Sequence, residues 1–261
     1  MYDIKDFFGI LDGLAPLKYS LMQIEQGDYD NSGILIKMHD DVERALFSLD
    51  LSTETVRVAK RLKCDTVVTH HPAVYNPIKS LDVSGETAAV ALAAKNGLNV
   101  ISMHLNLDVA DGGIDDCLAA GLGGKDCKTL NSLDSGSHYG REFKVSGTVG
   151  EFVKEIERNF GTKKTLVYAG LKEKVGVAAS FCGAGSGYAI DYVRKGGIAD
   201  TVITSDIPHH ILKELTERGK RVIILTHYAS ENYGFKRYFE RVKEKVCDKT
   251  ETFYFEDKRF L

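Results

Sequence analysis

The sequence predicts an α/β protein of two α/β domains, each with a mostly parallel or mixed sheet flanked by helices. Short apolar runs alternate with longer helical patterns along the chain, which is typical of α/β folds. The apolar runs are continuous, as expected for strands that are covered on both faces. Residues 64–69 (CDTVVT) and 199–204 (ADTVIT) share a D-T-V-[VI]-T run, which is compatible with two related halves.

Helical periodicity and capping signals define the elements of the first half. The first helix is predicted to end near Gly13 and Pro16, because both residue types interrupt helices. Helix 53–63 suits a Ser or Thr cap, and Gly97 fits the C-terminal cap of the Ala-rich helix 85–96. The predicted order is helix 2–13, strand 33–38, helix 53–63, strand 64–69, helix 85–96, strand 99–103 and helix 113–122.

The second half repeats this style of alternation. The predicted order is strand 143–149, helix 151–159, strand 164–168, strand 175–181, helix 187–195, strand 200–204, helix 209–218, strand 221–225, helix 230–246 and a last strand in 251–256. Segment 123–141 is the poorest in apolar residues and the richest in Gly and Ser, which predicts a domain boundary. We therefore assign residues 1–128 to the first domain and 129–231 to the second, with residues 232–261 able to pack back on the first.

Composition and charge exclude several classes of protein. The 37 Asp and Glu against 34 Lys and Arg give a net charge of −3, which lacks the basic excess of nucleic-acid-binding proteins. No window approaches about 20 uninterrupted apolar residues and no secretory signal is evident, so no membrane association and a cytoplasmic location are expected. The five cysteines are scattered without a CxxC pair, which argues against a disulfide framework or a thiolate zinc site.

Two adjacent histidines follow the predicted strand CDTVVT. Functional sites in open α/β sheets collect at the carboxyl ends of strands, where His70 and His71 lie. Neighbouring side chains within a strand point to opposite faces, so both histidines can serve one site only if the strand ends there. Pro72 favours such an end, because it restricts the residue before it. The alternative is a pair of histidines in an ordinary surface loop.

The next predicted strand is followed by further chemistry-bearing side chains. Strand 99–103 precedes His104 and Asp108, and the turn after Asp108 can present a carboxylate. The alternative is that Asp108 caps the following helix, but Asp111 or Gly113 is better placed for that role.

A third strand end carries a His…Glu pair. His227 and Glu231 follow strand 221–225 and are four residues apart, so they share a face if a helix begins here. The alternative is that Glu231 only complements the dipole at the start of that helix.

These side chains together predict metal binding. Imidazole and carboxylate ligands without sulfur suit Zn²⁺, Fe²⁺ or Mn²⁺. Three histidines and two carboxylates exceed what one tetrahedral ion needs, whereas two ions about 3.5–4 Å apart would use them all. We therefore predict two divalent metal ions per chain, of zinc, iron or manganese.

Five blocks of the chain resemble the signature blocks of the Nif-three-like family, also called GTP cyclohydrolase I type 2. They occur in the family's order and span nearly the whole sequence. The blocks are Tyr29–Ile36, Thr69–Tyr75, His104–Gly113, Phe181–Gly187 and His227–Glu231. The His-His-Pro block and the His-Tyr-x-x-Glu block together are specific to the family.

The resemblance implies a dinuclear metal site at the junction of two α/β domains, with Glu231, together with Asp108, bridging the ions. The implied ligands are His70, His71, Asp108, His227 and Glu231. It also implies a ring-shaped homohexamer, and this chain looks like the short form without the inserted domain. Two departures, Thr226 and Ser205 where the family tends to have Gly, are expected to narrow the pocket and weaken any inference about the substrate.

Further residues are candidates for substrate contact or proton transfer. The glycine-rich run offers backbone amides for a phosphate at a helix N-terminus, the alternative being a tight turn; its candidates are Gly183, Gly185, Ser186 and Gly187. The candidate acids or bases are Asp206, His210 and His104. Asp206 could instead cap a helix, and His104 could instead orient a ligand or be a further ligand.

The sequence therefore predicts a metal-dependent hydrolase that acts on a small nucleotide-like substrate through a metal-activated water. The family name suggests opening of the GTP imidazole ring, although no guanine pocket is evident in the sequence. One alternative is a metal-binding protein that carries exchangeable iron without turnover. Another is a hexameric interaction scaffold with an incidental metal. His39 and His138 are interpreted as surface histidines.

Overall fold

A computed structural model describes residues 1–25, 28–130 and 139–261. The chain forms two compact units: Met1–Ala110 with Phe235–Asp257, and Asp111–Gly234 with Lys258–Leu261. The elements, in chain order, are β1 (Tyr2–Asp3), α1 (Ile4–Leu14), α2 (Lys18–Glu25), β2 (Gly33–Ile36), β3 (Asp41–Val42), β4 (Arg44–Ser48), α3 (Thr53–Arg61), β5 (Thr66–Thr69), α4 (Ala88–Lys95), β6 (Asn99–Ser102), α5 (Leu105–Val109), α6 (Ile114–Gly121), β7 (Lys125–Thr129), β8 (Arg141–Lys144), α7 (Val149–Phe160), β9 (Leu166–Tyr168), β10 (Val177–Ser180), α8 (Ser186–Arg194), β11 (Thr201–Thr204), α9 (His209–Glu217), β12 (Arg221–Ile224), α10 (His227–Val246) and β13 (Glu251–Tyr254).

The first unit is built on a sheet of five strands in the order β13-β4-β5-β6-β2. The first four of these strands run parallel, and β2 pairs antiparallel with β6. Apolar side chains of the sheet, α3 and α4 pack into one cluster that includes Val56, Val67, Ala93 and Val100. The parallel strands end in register, with Thr69 opposite both Ser48 and Ser102, so the segments after β4, β5 and β6 meet at one edge.

The second unit is built on a sheet of six strands in the order β7-β8-β10-β11-β12-β9. The central strands β10, β11 and β12 run parallel, whereas β7, β8 and β9 are antiparallel to their neighbours. Ile203 pairs with Ser180 on one side and Ile223 on the other, so these three strands also end together. The predicted fold class of parallel and mixed sheets flanked by helices is therefore confirmed.

The structure corrects some predicted boundaries and adds elements. The predicted strand 143–149 is wrong beyond Lys144, because Gly147 has a φ of +114° and Thr148 caps α7. Strand β4 was not predicted, because its apolar run is only three residues long between Arg44 and Ser48. Helix α5 was also missed, since five residues are too few to show helical periodicity.

The compact units divide the chain at Ala110, before α6, because α6 and β7 belong to the second unit. The composition-based boundary at residue 128 stays a prediction about domain organisation. Residues 131–138, which include His138 and the centre of that boundary segment, lie outside the described residues. Among the helices that the structure describes, none combines the length and apolar character needed to cross a membrane.

Candidate metal centre

The paired histidines of the first unit lie at a bend directly after β5. The backbone N–H groups of His70 and His71 both donate to the carbonyl of Leu49, at 3.1 and 3.0 Å. Sharing one acceptor ends the regular alternation of the strand, and the two imidazole rings lie with their centroids 5.0 Å apart. This is the strand end that Pro72 favours.

Each histidine of this edge has its Nδ1 atom fixed by an acceptor. His70 Nδ1 lies 2.8 Å from the carbonyl oxygen of Met103, and His71 Nδ1 lies 2.6 Å from Asp50 Oδ1. His104, which follows β6, has its Nδ1 2.8 Å from Asp30 Oδ1. An Nδ1–H that donates to an acceptor leaves Nε2 as the metal-binding nitrogen, which is the usual arrangement in metalloproteins. One ligand nitrogen from each of the three histidines lies within 4.8 Å of the others.

Asp30 is a buried carboxylate that supports His104. Its burial opposes ionisation, but hydrogen bonds from His104 and from two serine hydroxyls outweigh it, so the pKa of the Asp30 carboxyl lies below its usual value. Ser32 also links this group to the strand end, because its Oγ donates to Asp30 and accepts from the His104 N–H at 3.0 Å. Asp30 is therefore a charged anchor for the His104 ring.

Asp108 comes to the same edge on helix α5. Its side chain is buried, and Oδ1 lies 3.4 Å from His70 Nε2. The N-cap residue of α6 is Gly113, so Asp108 is not the cap of that helix. The first unit thus brings together His70, His71, His104 and Asp108.

The second unit has a comparable edge after β10, β11 and β12. His227 Nδ1 lies 2.7 Å from Asp206 Oδ2, and His227 Nε2 lies 3.0 Å from Glu231 Oε2, one helical turn further along α10. Helix α10 begins at His227, so Glu231 is in its second turn rather than at the helix start. The Glu231 carboxylate is buried, and this placement does not favour a role limited to the helix dipole.

Thr226 organises the start of α10. Its Oγ1 accepts from the Ala229 N–H at 3.1 Å, which caps the helix, and donates to the carbonyl of Phe260 at 3.1 Å. The hydroxyl that departs from the family pattern therefore makes two hydrogen bonds next to His227, one within α10 and one to the end of the chain.

Gly183 passes close to the His227–Glu231 pair. Its φ is +50°, and a Cβ at this position would overlap Glu231 Oε1 and lie 3.2 Å from His227 Nε2. A Cβ at Gly185 would likewise press on Phe181 and on the Cys182 carbonyl. Close packing thus explains two of the four residues in the glycine-rich run, and phosphate contact by Gly183, Gly185, Ser186 and Gly187 stays a prediction.

The remaining candidates differ in their surroundings. The Asp206 carboxylate holds His227, and the N-cap residue of α9 is Pro208, so Asp206 does not cap that helix. His210 lies exposed in the first turn of α9. Sequence reasoning missed Asp50 and Asp30. Asp50 could have been found only with β4, and Asp30 lies within a block that carried the family resemblance.

The model of the family Duf34/NIF3 (NGG1p interacting factor 3) matches residues 2–259. The chain belongs to the DUF34/NIF3 family. The chain is 28% identical over 252 residues to a "GTP cyclohydrolase 1 type 2 homolog" of Clostridium perfringens, covering 93% of this chain and 92% of that one. It is 26% identical over 228 residues to "NIF3-like protein 1" of Drosophila melanogaster, covering 81% and 73%.

Solved structures have the same fold. A Bacillus cereus protein related to NIF3 matches with a TM-score of 0.86 and 16% identity, over 98% of this chain and 97% of the other. Reduced HcgD from Methanocaldococcus jannaschii matches with a TM-score of 0.78 and 25% identity, over 98% of each chain. The family resemblance predicted from the sequence blocks is therefore confirmed.

Proposed function

We propose that this protein holds two divalent metal ions and hydrolyses a small nucleotide-like substrate with a metal-activated water. The residues that would hold the ions are His70, His71, Asp108, His227 and Glu231. The observation that carries the proposal is that every proposed histidine ligand follows a parallel strand and has its Nδ1 fixed by an acceptor. Metal-ligating histidines are held in this way because the second hydrogen bond fixes the tautomer and the ring orientation.

The donor set fits divalent ions of intermediate softness. The donors are imidazole nitrogens and carboxylate oxygens, which suit zinc, iron and manganese. Asp108 and Glu231 are both buried next to imidazoles, and a buried carboxylate is stabilised by a cation. The residues present therefore fit the proposed ions.

Helix α10 supports the assignment of Glu231 to the same centre as His70. Phe235 lies one turn after Glu231, and the ring centroid of Phe235 is 6.0 Å from that of His70 within the first unit. Residues four apart share a helix face. We therefore propose that Glu231 serves the ions held by the His70 edge.

Two divalent ions at this centre would polarise a scissile bond and lower the pKa of a water. The chain itself contributes orientation, because Asp50, Asp206 and the Met103 carbonyl each hold one proposed ligand ring. His104 is held by Asp30 in the same manner, so we propose it as a further nitrogen donor or as the proton-transfer group. Asp206 and His210 stay candidates for contact with the substrate.

Metal carriage without turnover is a second candidate function. The side chains of His71 and His227 are 26% and 32% exposed, whereas those of His70 and Glu231 are buried. Ligands that reach solvent allow an ion to exchange with a partner. Transfer of iron to a chelator or partner protein, combined with absent hydrolysis, would favour this function.

Elemental analysis tests the proposal. Protein purified without chelators or a metal-affinity tag is compared with Glu231→Ala, and Glu217→Ala is the matched control because Glu217 is an exposed carboxylate of α9. We expect about two ions per chain in the wild type and the control, and a sharp loss in Glu231→Ala. Absence of metal from the wild type after reconstitution would overturn the proposal. Light scattering on the same samples checks the homohexamer that the family resemblance implies.

A further inference from the structure

An exposed pair of tyrosines lies beside the histidines of the first unit. The ring centroids of Tyr29 and Tyr75 are 4.8 Å apart with the rings edge to face, and Tyr75 meets the ring of His104 at 6.3 Å. Tyr29 and Tyr75 are 45% and 46% exposed, so neither ring is part of the apolar core. Asn31 fastens the two segments together, because its side-chain amide donates to the carbonyl of Val74 at 2.6 Å.

Tyr75 also lines a cleft that lies within the first unit. The cleft has a volume of about 630 Å³ and is bounded by residues 72–80, Asp82 and the start of the α4 region. This volume lies within the range of about 300–1,000 Å³ found for small-molecule sites. Tyr75 therefore joins His104, which lies beside the proposed metal ligands, to a space large enough for a nucleotide base and sugar.

The charges in this cleft disfavour an anion. Its lining contains the carboxylates Asp82 and Glu86 and the single cation Lys79. Hydrogen bonds from the Ser84 backbone and hydroxyl hold the pKa of Asp82 below its usual value, so this carboxylate is ionised. A phosphate would be repelled here, whereas divalent ions beside His70 and His71 would attract it.

We propose that Tyr75, supported by Tyr29, stacks the base of a nucleotide at the mouth of this cleft and directs its phosphate toward the metal centre. The proposal rests on the proposed function and adds the residue that holds the base and the orientation of the substrate. Aromatic side chains stack on any base, and loss of one such contact weakens binding by about tenfold. In this orientation a phosphate, rather than a ring carbon of the base, faces the ions.

Calorimetric titration of the full-length, metal-loaded protein with three probes tests the proposal. The probes are GMP, ribose 5-phosphate, which lacks the base, and guanosine, which lacks the phosphate. The variants are Tyr75→Ala, Tyr75→Phe, which keeps the ring, and Tyr168→Ala as the matched control, because Tyr168 is 45% exposed, close to the 46% of Tyr75, but lies on β9 of the second unit. Metal content is measured on every sample.

We expect wild-type protein to bind GMP more tightly than either fragment. Tyr75→Ala should weaken binding of GMP and guanosine about tenfold and leave ribose 5-phosphate unchanged, while Tyr75→Phe and Tyr168→Ala match the wild type. Removal of the metal should weaken the binding of GMP but not the binding of guanosine.

Two results would overturn the inference while the proposed function stands. The first is that protein with about two ions per chain binds GMP and ribose 5-phosphate equally tightly, or binds none of the three probes. The other is a Tyr75→Ala effect that is the same for GMP and ribose 5-phosphate. A wild-type protein that holds no metal would instead overturn the proposed function, which separates the two failures.

Discussion

The central strands of the two units are built alike at one end and differ at the other. Strand β5 in the first unit and β11 in the second both begin with a Thr that directly follows an Asp, and both lie between two parallel neighbours. Asp65 Oδ2 accepts the backbone N–H groups of Glu43 and Arg44 at 2.9 and 2.8 Å. Asp200 Oδ2 accepts two backbone N–H groups at the start of β10 at 3.0 and 3.2 Å. The shared sequence run therefore corresponds to a shared structural feature, an aspartate that accepts two backbone N–H groups of the neighbouring strand.

The carboxyl ends of the same strands have diverged. In the first unit the central strand itself is followed by two histidines, and Asp50, the partner of His71, follows a neighbouring strand. In the second unit the central strand is followed by Asp206, and the neighbouring strand supplies His227. The amino ends thus fix the neighbouring strands through backbone hydrogen bonds, whereas the carboxyl ends exchange the positions of imidazole and carboxylate and keep the two paired.

The largest effect, on the free energy of unfolding, is expected when the aspartate before either central strand is removed. Asp65→Ala and Asp200→Ala each delete two charge-assisted hydrogen bonds to backbone N–H groups, which should lower the free energy of unfolding by about 2–4 kcal/mol in either unit. Asp41→Ala, an exposed carboxylate on β3, is the control and should change little. Thermal melts check this, and a loss in only one variant would show that the two strands are not equivalent.

A second large effect is expected at the carboxyl edge of the second unit. Gly183→Ala places a Cβ on Glu231 at a positive φ, so metal content should fall sharply. Gly187→Ala is the matched control, because a Cβ there meets nothing within 4 Å. Retention of full metal content by Gly183→Ala would count against Glu231 as a ligand.

A moderate effect is expected from the carboxylates that hold the ligand rings. Asp50→Ala and Asp206→Ala free the Nδ1 atoms of His71 and His227, and each should weaken metal binding by about 10–100-fold. Asp40→Ala, an exposed residue paired with Lys37, should leave affinity unchanged. Equal affinities in all three variants, measured by competition with a chelator, would show that ring orientation does not matter here.

The smallest effect concerns the helices that flank the second sheet. Hydrogen bonds from Arg194 and Arg218 lower the pKa of Glu214 to about 2. A carboxyl with a lowered folded pKa stabilises the fold above its unfolded value and loses that contribution as the pH falls toward 2. Glu214→Gln should therefore reduce, by a small amount, the pH dependence of stability between about pH 4.5 and 2. An unchanged acid titration followed by circular dichroism would contradict this.

The sequence was most informative where candidate metal ligands follow strand ends. His70 and His71 could be placed because an apolar run ends at Thr69 and a proline follows. Asp50 could not be placed next to His71, because the apolar run of β4 is too short to be recognised as a strand. Without that strand, the sequence does not show that Asp50 follows a neighbour of β5. The role of Gly183 was also out of reach, since it depends on how close the backbone comes to Glu231, a side chain 48 positions later.

The D-T-V-[VI]-T run shows a different limit. One short match could not establish related halves, yet the hydrogen bonds of Asp65 and Asp200 are equivalent atom by atom. Thr226 is a position where the sequence showed a difference rather than a match. Its departure from the family pattern was visible in the sequence, but its two hydrogen-bond partners lie three residues away and near the last residue of the chain.

The fixed Nδ1 atoms of the histidines also bear on the thermodynamics of folding. In the folded chain the imidazole rings are already oriented, so binding of an ion costs little side-chain entropy. In the unfolded chain the same imidazoles are far apart and not oriented toward one ion. An ion that binds only the folded form shifts the folding equilibrium by mass action, by about 2.7 kcal/mol at a free concentration 100 times its dissociation constant. The melting temperature of this protein would then report the free metal concentration around it.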